Sequence, residues 1–178
     1  MHTLPRAICI ALLASSLTTL VPAYAADTLL PQPDARPTLK VDKLGRYRVV
    51  YDIQSDRLSA GISRGLYYAR GLFEAFQKQE VAASQVDAHL VLHGDAASML
   101  LKDDTYQIAI NDPFAVNPNS KVVQELLDLG VSVEICHSVM RYKGWTAEDV
   151  LPGVTIVHDG YTRLIKLQND GYAYIGGF

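Results

Sequence analysis

Short β-rich runs alternate with helical patterns along most of this chain, and this alternation is what most constrains its fold. The predicted strands are Tyr47–Ile53, 88–92, 131–135, 154–157 and 172–175. Strands this short, each followed by a helical pattern, indicate right-handed crossovers and a parallel sheet covered on both faces. We therefore predict an α/β fold, a three-layer sandwich with a mostly parallel sheet of about five strands and a flavodoxin-like layout.

The helical patterns are defined by apolar spacing and by residues that begin or end helices. The first spans 59–79, where Ile62, Leu66, Ala69, Phe73 and Phe76 share one face. A short helix is predicted over 96–101, and another begins with Asn117 as its N-cap and ends at Gly130. In that helix we expect five residues to face inward: Val122, Val123, Leu126, Leu127 and Leu129. Two more helices are predicted, one from Cys136 through Lys143 and a last one ended by Gly171.

The first 25 residues have the layout of a secretory signal. A short segment with one positive charge precedes an uncharged apolar run over 7–21, and Ala23-Tyr24-Ala25 supplies small residues before a cut at Ala26. This predicts an exported, periplasmic protein whose leader is removed. Residues 26–45 contain three prolines and are expected to be an extended or disordered lead-in, followed by one domain over 46–178.

Charge and hydropathy exclude two classes of partner. The chain has 16 Lys and Arg against 19 Asp and Glu, a formal net charge of −3, and loss of Arg6 with the leader makes it more negative. The basic excess that nucleic acids and anionic lipids require is therefore missing. No segment after the leader is long enough for a membrane span.

Cysteine usage leaves one thiol in the exported protein. Cys9 lies in the leader, so Cys136 is the single cysteine after cleavage and cannot form an intrachain disulfide. Three interpretations of Cys136 are open, namely buried apolar packing, an intermolecular disulfide or a reactive thiol.

Several reactive side chains follow predicted strands. His93 follows the second strand, Cys136 and His137 the third, and His158 the fourth, so they are expected at one edge of the sheet. Cys136 also stands at a predicted helix N-terminus, where free N–H groups favour the thiolate. Arg141 and Lys143, one to two turns further along, would add positive potential if they folded back toward it.

The neighbouring motifs admit a functional and a structural interpretation. Gly94 would let backbone amides approach a ligand, or it forms a turn with Asp95 as N-cap. His137 either tunes Cys136 or is merely solvated. The residue types would allow a metal held by Cys136 with His93 or His158, but no predicted helix contains CxxC or HxxxH spacing. His89 and His93 lie four apart on a strand, too far apart for an easy chelate, so we predict no metal site. No nucleotide, flavin or haem motif is present, and we expect no organic cofactor.

Four segments together resemble the DsrE/DsrF-like family, the sulfur-relay group that includes YchN-type proteins. They are YRVVYDI, LVLHGDAASML, GVSVEICHSVMRYKGW over 130–145 and LPGVTIVHDGYTRLIKLQNDGYAYI, and the resemblance covers roughly 46–176. It implies a trimer or hexamer and, at Cys136, a cysteine that carries sulfur as a persulfide. His93 and Gly94 match a family motif. The leader departs from the cytoplasmic members, so their donors and acceptors are not carried over.

Two functional hypotheses follow from these observations. The first is a periplasmic sulfane sulfur carrier, sulfurtransferase-like, that uses Cys136 with His93, Gly94, His137 and Ser138 in its pocket. Its partners would be copies of itself and a sulfur donor or acceptor protein. The second is a non-catalytic oligomeric binding module that takes a small ligand or metal at the same strand-end pocket.

Overall fold

The computed structural model describes residues 38–178. The predicted leader, 1–25, and residues 26–37 of the predicted lead-in lie outside the described residues. Residues 38–45 contain no helix or strand, and the Val41 N–H donates a hydrogen bond to Gln79 Oε1 at 3.0 Å. Within the described part of the chain, no helix has the length and apolar character needed to cross a membrane.

The five predicted strands are all present, and at least one helix lies between each strand of the five-stranded sheet and the next. In chain order the strands and helices are β1 Tyr47–Ile53, β2 Leu58–Ser59, β3 Ile62–Ser63, α1 Arg64–Gln77, β4 Val86–Leu92, α2 Asp103–Ile110, α3 Ser120–Asp128, β5 Ser132–Cys136, α4 His137–Lys143, β6 Thr155–Val157, α5 Gly160–Asn169 and β7 Ala173–Ile175. Short 3₁₀ segments occupy Ala83–Gln85, Gly94–Leu100 and Ala147–Asp149.

Five strands form one sheet in the order β6-β5-β4-β1-β7, and every neighbouring pair is parallel. The chain steps from β1 outward to β6 and then returns, through α5, to place β7 on the other side of β1. The predicted α/β sandwich with a five-stranded parallel sheet is confirmed. All five strands therefore present their carboxyl ends at the same edge.

The two faces of the sheet are covered differently. One face packs against α1, α2, α3, α4 and the Gly94–Leu100 segment in a large apolar core, to which β1 contributes Val49, Tyr51 and Ile53. The opposite face carries a small second cluster, Val50 and Val91 from the sheet with Leu164 and Leu167 from α5. Because side chains alternate along a strand, Asp52, His93, Glu134 and Cys136 belong to this second face.

Two helices begin later than the sequence predicted. The predicted helix 59–79 is interrupted because Ala60 and Gly61 have φ of +50° and +81°, which turns the chain into the β2–β3 hairpin before α1 starts. Asn117 is not the N-cap of α3. Its buried side chain instead donates to the carbonyl oxygens of Met99 and Leu101, at 3.0 and 2.6 Å.

Smaller differences concern the remaining helices. Leu129, predicted to face inward, is 38% exposed, while Gly130, at φ +83°, does end α3. The predicted helix 96–101 is the 3₁₀ segment Gly94–Leu100. The helix α2, which buries one side chain, Tyr106, was not predicted.

Candidate functional site

A cavity of about 470 Å³ opens at the carboxyl edge of the sheet, where β1, β4 and β5 end and where α4 and α5 begin. Residues at the ends of these elements line it: Gln54, His93, Gly94, Asp95, Cys136, Ser138, Val139, Tyr142, Asp159, Gly160 and Tyr161. Strand-end placement thus brings together Cys136, His93, Gly94 and Ser138, four of the five residues that the sequence analysis selected.

Cys136 is the last residue of β5 and lies directly before α4. Its side chain is almost fully buried, with 3% of the residue exposed, and its Sγ accepts a hydrogen bond from the Gly160 N–H at 3.2 Å. Gly160 is the first residue of α5, and N–H groups in a first helical turn have no partner within their own helix. The donor is therefore free to stabilise negative charge on the sulfur.

Gly160 also fits closely against His93. A Cβ atom at position 160 would come within 3.1 Å of both Cβ and Cγ of His93, so a larger residue would force the two apart. His93 itself is 4% exposed, and its ring stands edge-on to Tyr161, with the ring centroids 4.8 Å apart. The start of α5 consequently touches both the thiol and the imidazole of the cavity.

Asp52 holds the buried His93 from the sheet side. Its Oδ1 lies 2.7 Å from His93 Nε2, and its Oδ2 accepts hydrogen bonds from Tyr174 Oη at 2.5 Å and Gln54 Nε2 at 3.0 Å. Burial raises the pKa of Asp52, but the bonds from Tyr174, His93 and Gln54 outweigh it and leave the pKa below its ordinary value. The same contact raises the pKa of Tyr174 to about 12. Asp52 is therefore a carboxylate at neutral pH.

Gly94 has a conformational role at the cavity wall. Its φ is +57°, and a Cβ there would lie 3.0 Å from the Gln54 carbonyl oxygen. That carbonyl accepts a hydrogen bond from the Ala96 N–H at 3.1 Å, which joins the turn to the end of β1. Asp95 lies inside the 3₁₀ segment, whose N-cap is His93, so the alternative with Asp95 as the cap is wrong.

The other candidates occupy different positions around the cavity. Ser138 lines it, and Ser138 Oγ lies 3.3 Å from the His158 carbonyl oxygen. His137, the first residue of α4, is not among the lining residues, and neither is Arg141. His158 borders a separate depression beside α5. Among residues 38–178, no group of three or more His, Cys, Asp or Glu side chains is arranged to hold a metal ion.

Several residues of this site were not predicted from the sequence, among them Asp52, Tyr174 and Gly160. Asp52 left a usable signal, because an acidic residue within a run of buried strand residues is rarely present without a partner. Tyr174 left none, since its approach to Asp52 depends on β7 pairing with β1, and spacing alone does not give strand order.

A second polar cluster lies on the same face of the sheet, further from the cavity. Glu134 is fully buried and forms two 2.8 Å bonds with Arg163, from Nε and from Nη2. His89 Nδ1 lies 2.5 Å from Glu134 Oε1, and Ser132 Oγ donates to the same oxygen at 2.9 Å. Burial raises the pKa of Glu134, but the hydrogen bonds from Arg163, His89 and Ser132 have the larger effect and lower this pKa to about 2. Glu134 is thus held as a paired carboxylate.

Comparison with known proteins gives matches of two kinds. The DsrE/DsrF-like family model matches residues 62–176. A solved structure of MTH1491, a protein of unknown function from Methanobacterium thermoautotrophicum, is 26% identical with a TM-score of 0.57, covering 74% of this chain and 99% of that one. The ychN protein from E. coli is 18% identical with a TM-score of 0.53 and the same coverage, which shows a shared fold. Among curated protein sequences there is no match.

Proposed function

Since the chain belongs to the DsrE/DsrF-like family, we propose that it is a carrier of sulfane sulfur in which Cys136 receives one sulfur atom as a persulfide. The observation that carries this proposal is the 3.2 Å hydrogen bond from the Gly160 N–H to Cys136 Sγ beside the cavity. A helix-terminal donor on the sulfur stabilises the thiolate, which is the nucleophile.

The transfer step balances without any further reactant. The Cys136 thiolate attacks the sulfane sulfur of a donor persulfide, a new S–S bond forms at Cys136, and the S–S bond of the donor breaks. The donor leaves as a thiolate, so nothing is oxidised or reduced overall. Delivery to an acceptor thiol is the same exchange in the opposite direction.

The cavity sets how a donor reaches the buried sulfur. With 3% of Cys136 exposed, approach is through the cavity of about 470 Å³, which lies within the range of about 300–1,000 Å³ typical of small-molecule sites. Tyr142 and Tyr161 stand at its opening, 85% and 60% exposed. A small persulfide fits this space, as does a single cysteine persulfide presented on an extended partner segment.

The first test is sulfur loading. Incubation of the folded protein with inorganic polysulfide, followed by removal of excess reagent, should add about 32 Da to the intact mass, one sulfur atom. The Cys136→Ser variant should gain nothing. Addition of cyanide should then remove the extra sulfur as thiocyanate and restore the original mass, which distinguishes a persulfide from an oxidised cysteine.

A different result would favour the binding-module hypothesis. If the wild-type mass stays unchanged while the protein is folded, or if Cys136→Ser gains the same mass, Cys136 is not a sulfur acceptor. The cavity would then serve a ligand that makes no bond to the thiol, and Cys136→Ser would leave binding of that ligand intact.

Location and assembly are parts of the same proposal. Export to the periplasm would be supported by a mature chain that begins at Ala26, read from its intact mass, and contradicted by an intact leader on the protein in its natural cells.

We further propose a homotrimer or homohexamer, as the family resemblance implies. Native mass spectrometry of the folded protein should show one of these two assemblies, whereas a monomer would exclude them.

A further inference from the structure

We propose that Asp52 and Tyr174 are positioning residues that keep the His93 proton on Nε2, so that Nδ1 accepts the proton of the Cys136 thiol. This inference deepens the proposed function and rests on it for the role of Cys136. It assigns a task to three side chains that the sulfur-transfer step described above does not use.

The tautomer follows from the hydrogen bond between Asp52 and His93. An ionised carboxylate can only accept, so the hydrogen in the 2.7 Å contact between Asp52 Oδ1 and His93 Nε2 is carried by Nε2. A neutral imidazole has one N–H, which leaves the lone pair on Nδ1 as its acceptor. Both residues are buried, Asp52 at 5% and His93 at 4% exposure, so water does not compete for this contact.

The partners of Asp52 explain why its charge acts on His93. Tyr174 Oη donates to Oδ2 at 2.5 Å and Gln54 Nε2 at 3.0 Å, and both donors are neutral. Among the described residues, the one hydrogen-bond partner of Asp52 that can become a cation is therefore His93. The carboxylate is fixed in orientation by neutral groups, and its charge is left to stabilise an imidazolium.

The surroundings of His93 favour the same proton transfer. The titratable groups that line the cavity beside His93 are all acids, which can be neutral or negative but not positive: Asp95, Cys136, Tyr142, Asp159 and Tyr161. No Lys or Arg is among the lining residues of this cavity. A positive charge that forms on His93 is therefore opposed by no neighbouring cation and is stabilised by Asp52 behind it.

The complete step then runs from a thiol to a persulfide. The Cys136 proton passes to His93 Nδ1 through one water in the cavity, and the thiolate attacks the sulfane sulfur of a donor persulfide. The donor's S–S bond breaks, and its sulfur leaves as a thiol after taking the proton back from His93. Gly160 contacts both reacting groups, through its N–H to Cys136 Sγ and by close packing against His93.

The tautomer can be measured without any assay of function. In the ¹⁵N-labelled folded protein at neutral pH, the two ring nitrogens of His93 should give one protonated signal, from Nε2, and one unprotonated signal, from Nδ1. Asp52→Asn should shift this balance toward the Nδ1–H form, because the amide can donate to Nε2. Protonation of Nδ1 in the wild type at neutral pH would overturn the proposal.

The second measurement is the rate of Cys136 loading by a small organic persulfide as a function of pH. At neutral pH, Asp52→Asn should slow loading by between about ten- and a hundredfold, less than the roughly 10²–10⁴-fold that a positioned general base contributes, because His93 itself is retained. Its pH profile should move to higher pH, and Asp52→Glu should recover part of the rate. Tyr174→Phe, which leaves the carboxylate in place, should slow loading by less than about threefold.

The outcomes separate this inference from the proposed function. If the wild type loads sulfur and Asp52→Asn loads it at the same rate and with the same pH profile, the positioning role is wrong while the carrier proposal stands. If Cys136 never loads sulfur, the carrier proposal fails, and the ¹⁵N signals still decide the tautomer. Should Asp52→Asn not fold, His93→Gln decides instead, because unchanged loading in that variant would equally overturn the role of His93.

Discussion

Two buried carboxylates lie on the same face of the sheet, and each contacts a histidine, yet their surroundings differ. Glu134 lies 2.5 Å from His89 Nδ1 and also pairs with the Arg163 guanidinium through two bonds of 2.8 Å. Asp52 lies 2.7 Å from His93 and has neutral donors as its other partners. The difference is a permanent cation, which only Glu134 has.

This difference assigns the two clusters to different roles. Arg163 neutralises Glu134 at every ordinary pH. The Glu134 cluster therefore holds α5 against β4 and β5, and its carboxylate charge is fully paired. The cluster around Asp52 borders the cavity that contains Cys136, and its charge acts on a group that can take up a proton. Chemistry is therefore expected where the carboxylate lacks a permanent partner, and stability where it has one.

The largest expected effect is on stability, from Arg163→Ala. This change leaves the fully buried Glu134 without its cation, and breaking a buried ion pair in this way costs about 3–5 kcal/mol. Urea unfolding of the variant should show this loss. The matched control is Lys166→Ala on the same helix, whose exposed pair with Asp170 should be worth less than about 1 kcal/mol. Equal losses in the two variants would contradict the structural role of the Glu134 cluster.

The next effect is the dependence of stability on pH. In the folded protein the pKa of Glu134 is about 2, against an ordinary value of 4.5, so the folded state holds this proton less tightly than the unfolded chain does. The resulting stabilisation, on the order of 3 kcal/mol, should be complete above about pH 4.5 and should disappear as the pH falls toward 2.

Unfolding midpoints measured from pH 6 down to pH 2 check this expectation. In Glu134→Gln, which does not titrate, that part of the acid dependence should be absent. The same steepness in the variant and in the wild type would mean that another carboxylate is responsible.

The smallest effect concerns the contact between α5 and the cavity. Gly160→Ala places a Cβ 3.1 Å from His93 and should cost about 1 kcal/mol, with slower reaction of Cys136 as α5 shifts. Gly71→Ala, in α1, meets no atom within 4 Å and should be neutral or stabilising by about 0.5–1 kcal/mol. If Gly160→Ala leaves both stability and thiol reactivity unchanged, close packing at this position is not required.

Strands were easier to predict from this sequence than the ends of helices. The run YRVVYDI predicted both ends of β1 correctly. Its last five residues are all buried, and such an unbroken run is typical of a strand covered on both faces. The start of α1 was missed because Ala60 adopts a left-handed turn that its residue type does not signal. The helix α2 was missed because it has no buried apolar face of the usual kind. Its two isoleucines, Ile108 and Ile110, are exposed, so its apolar residues do not follow the spacing from which a helix is predicted.

Part of the candidate site was also predictable, because it lies at the ends of the predicted strands. The carboxyl ends of parallel strands meet, so His93 and Cys136 could be placed at one edge without knowledge of strand order. The donor to the sulfur could not be foreseen. That role was predicted for the start of α4, whereas the N–H that reaches Sγ belongs to Gly160 at the start of α5, 24 residues further along the chain.

The most direct test of the central claim is the rate at which iodoacetamide modifies Cys136 at pH 6, with the modified site located by peptide mass. We expect Cys136 of the folded protein to react faster than Cys136 of the urea-unfolded chain, because the Gly160 N–H stabilises a thiolate that the cavity leaves accessible. A Cys136 that stays unmodified until the protein unfolds would contradict the account.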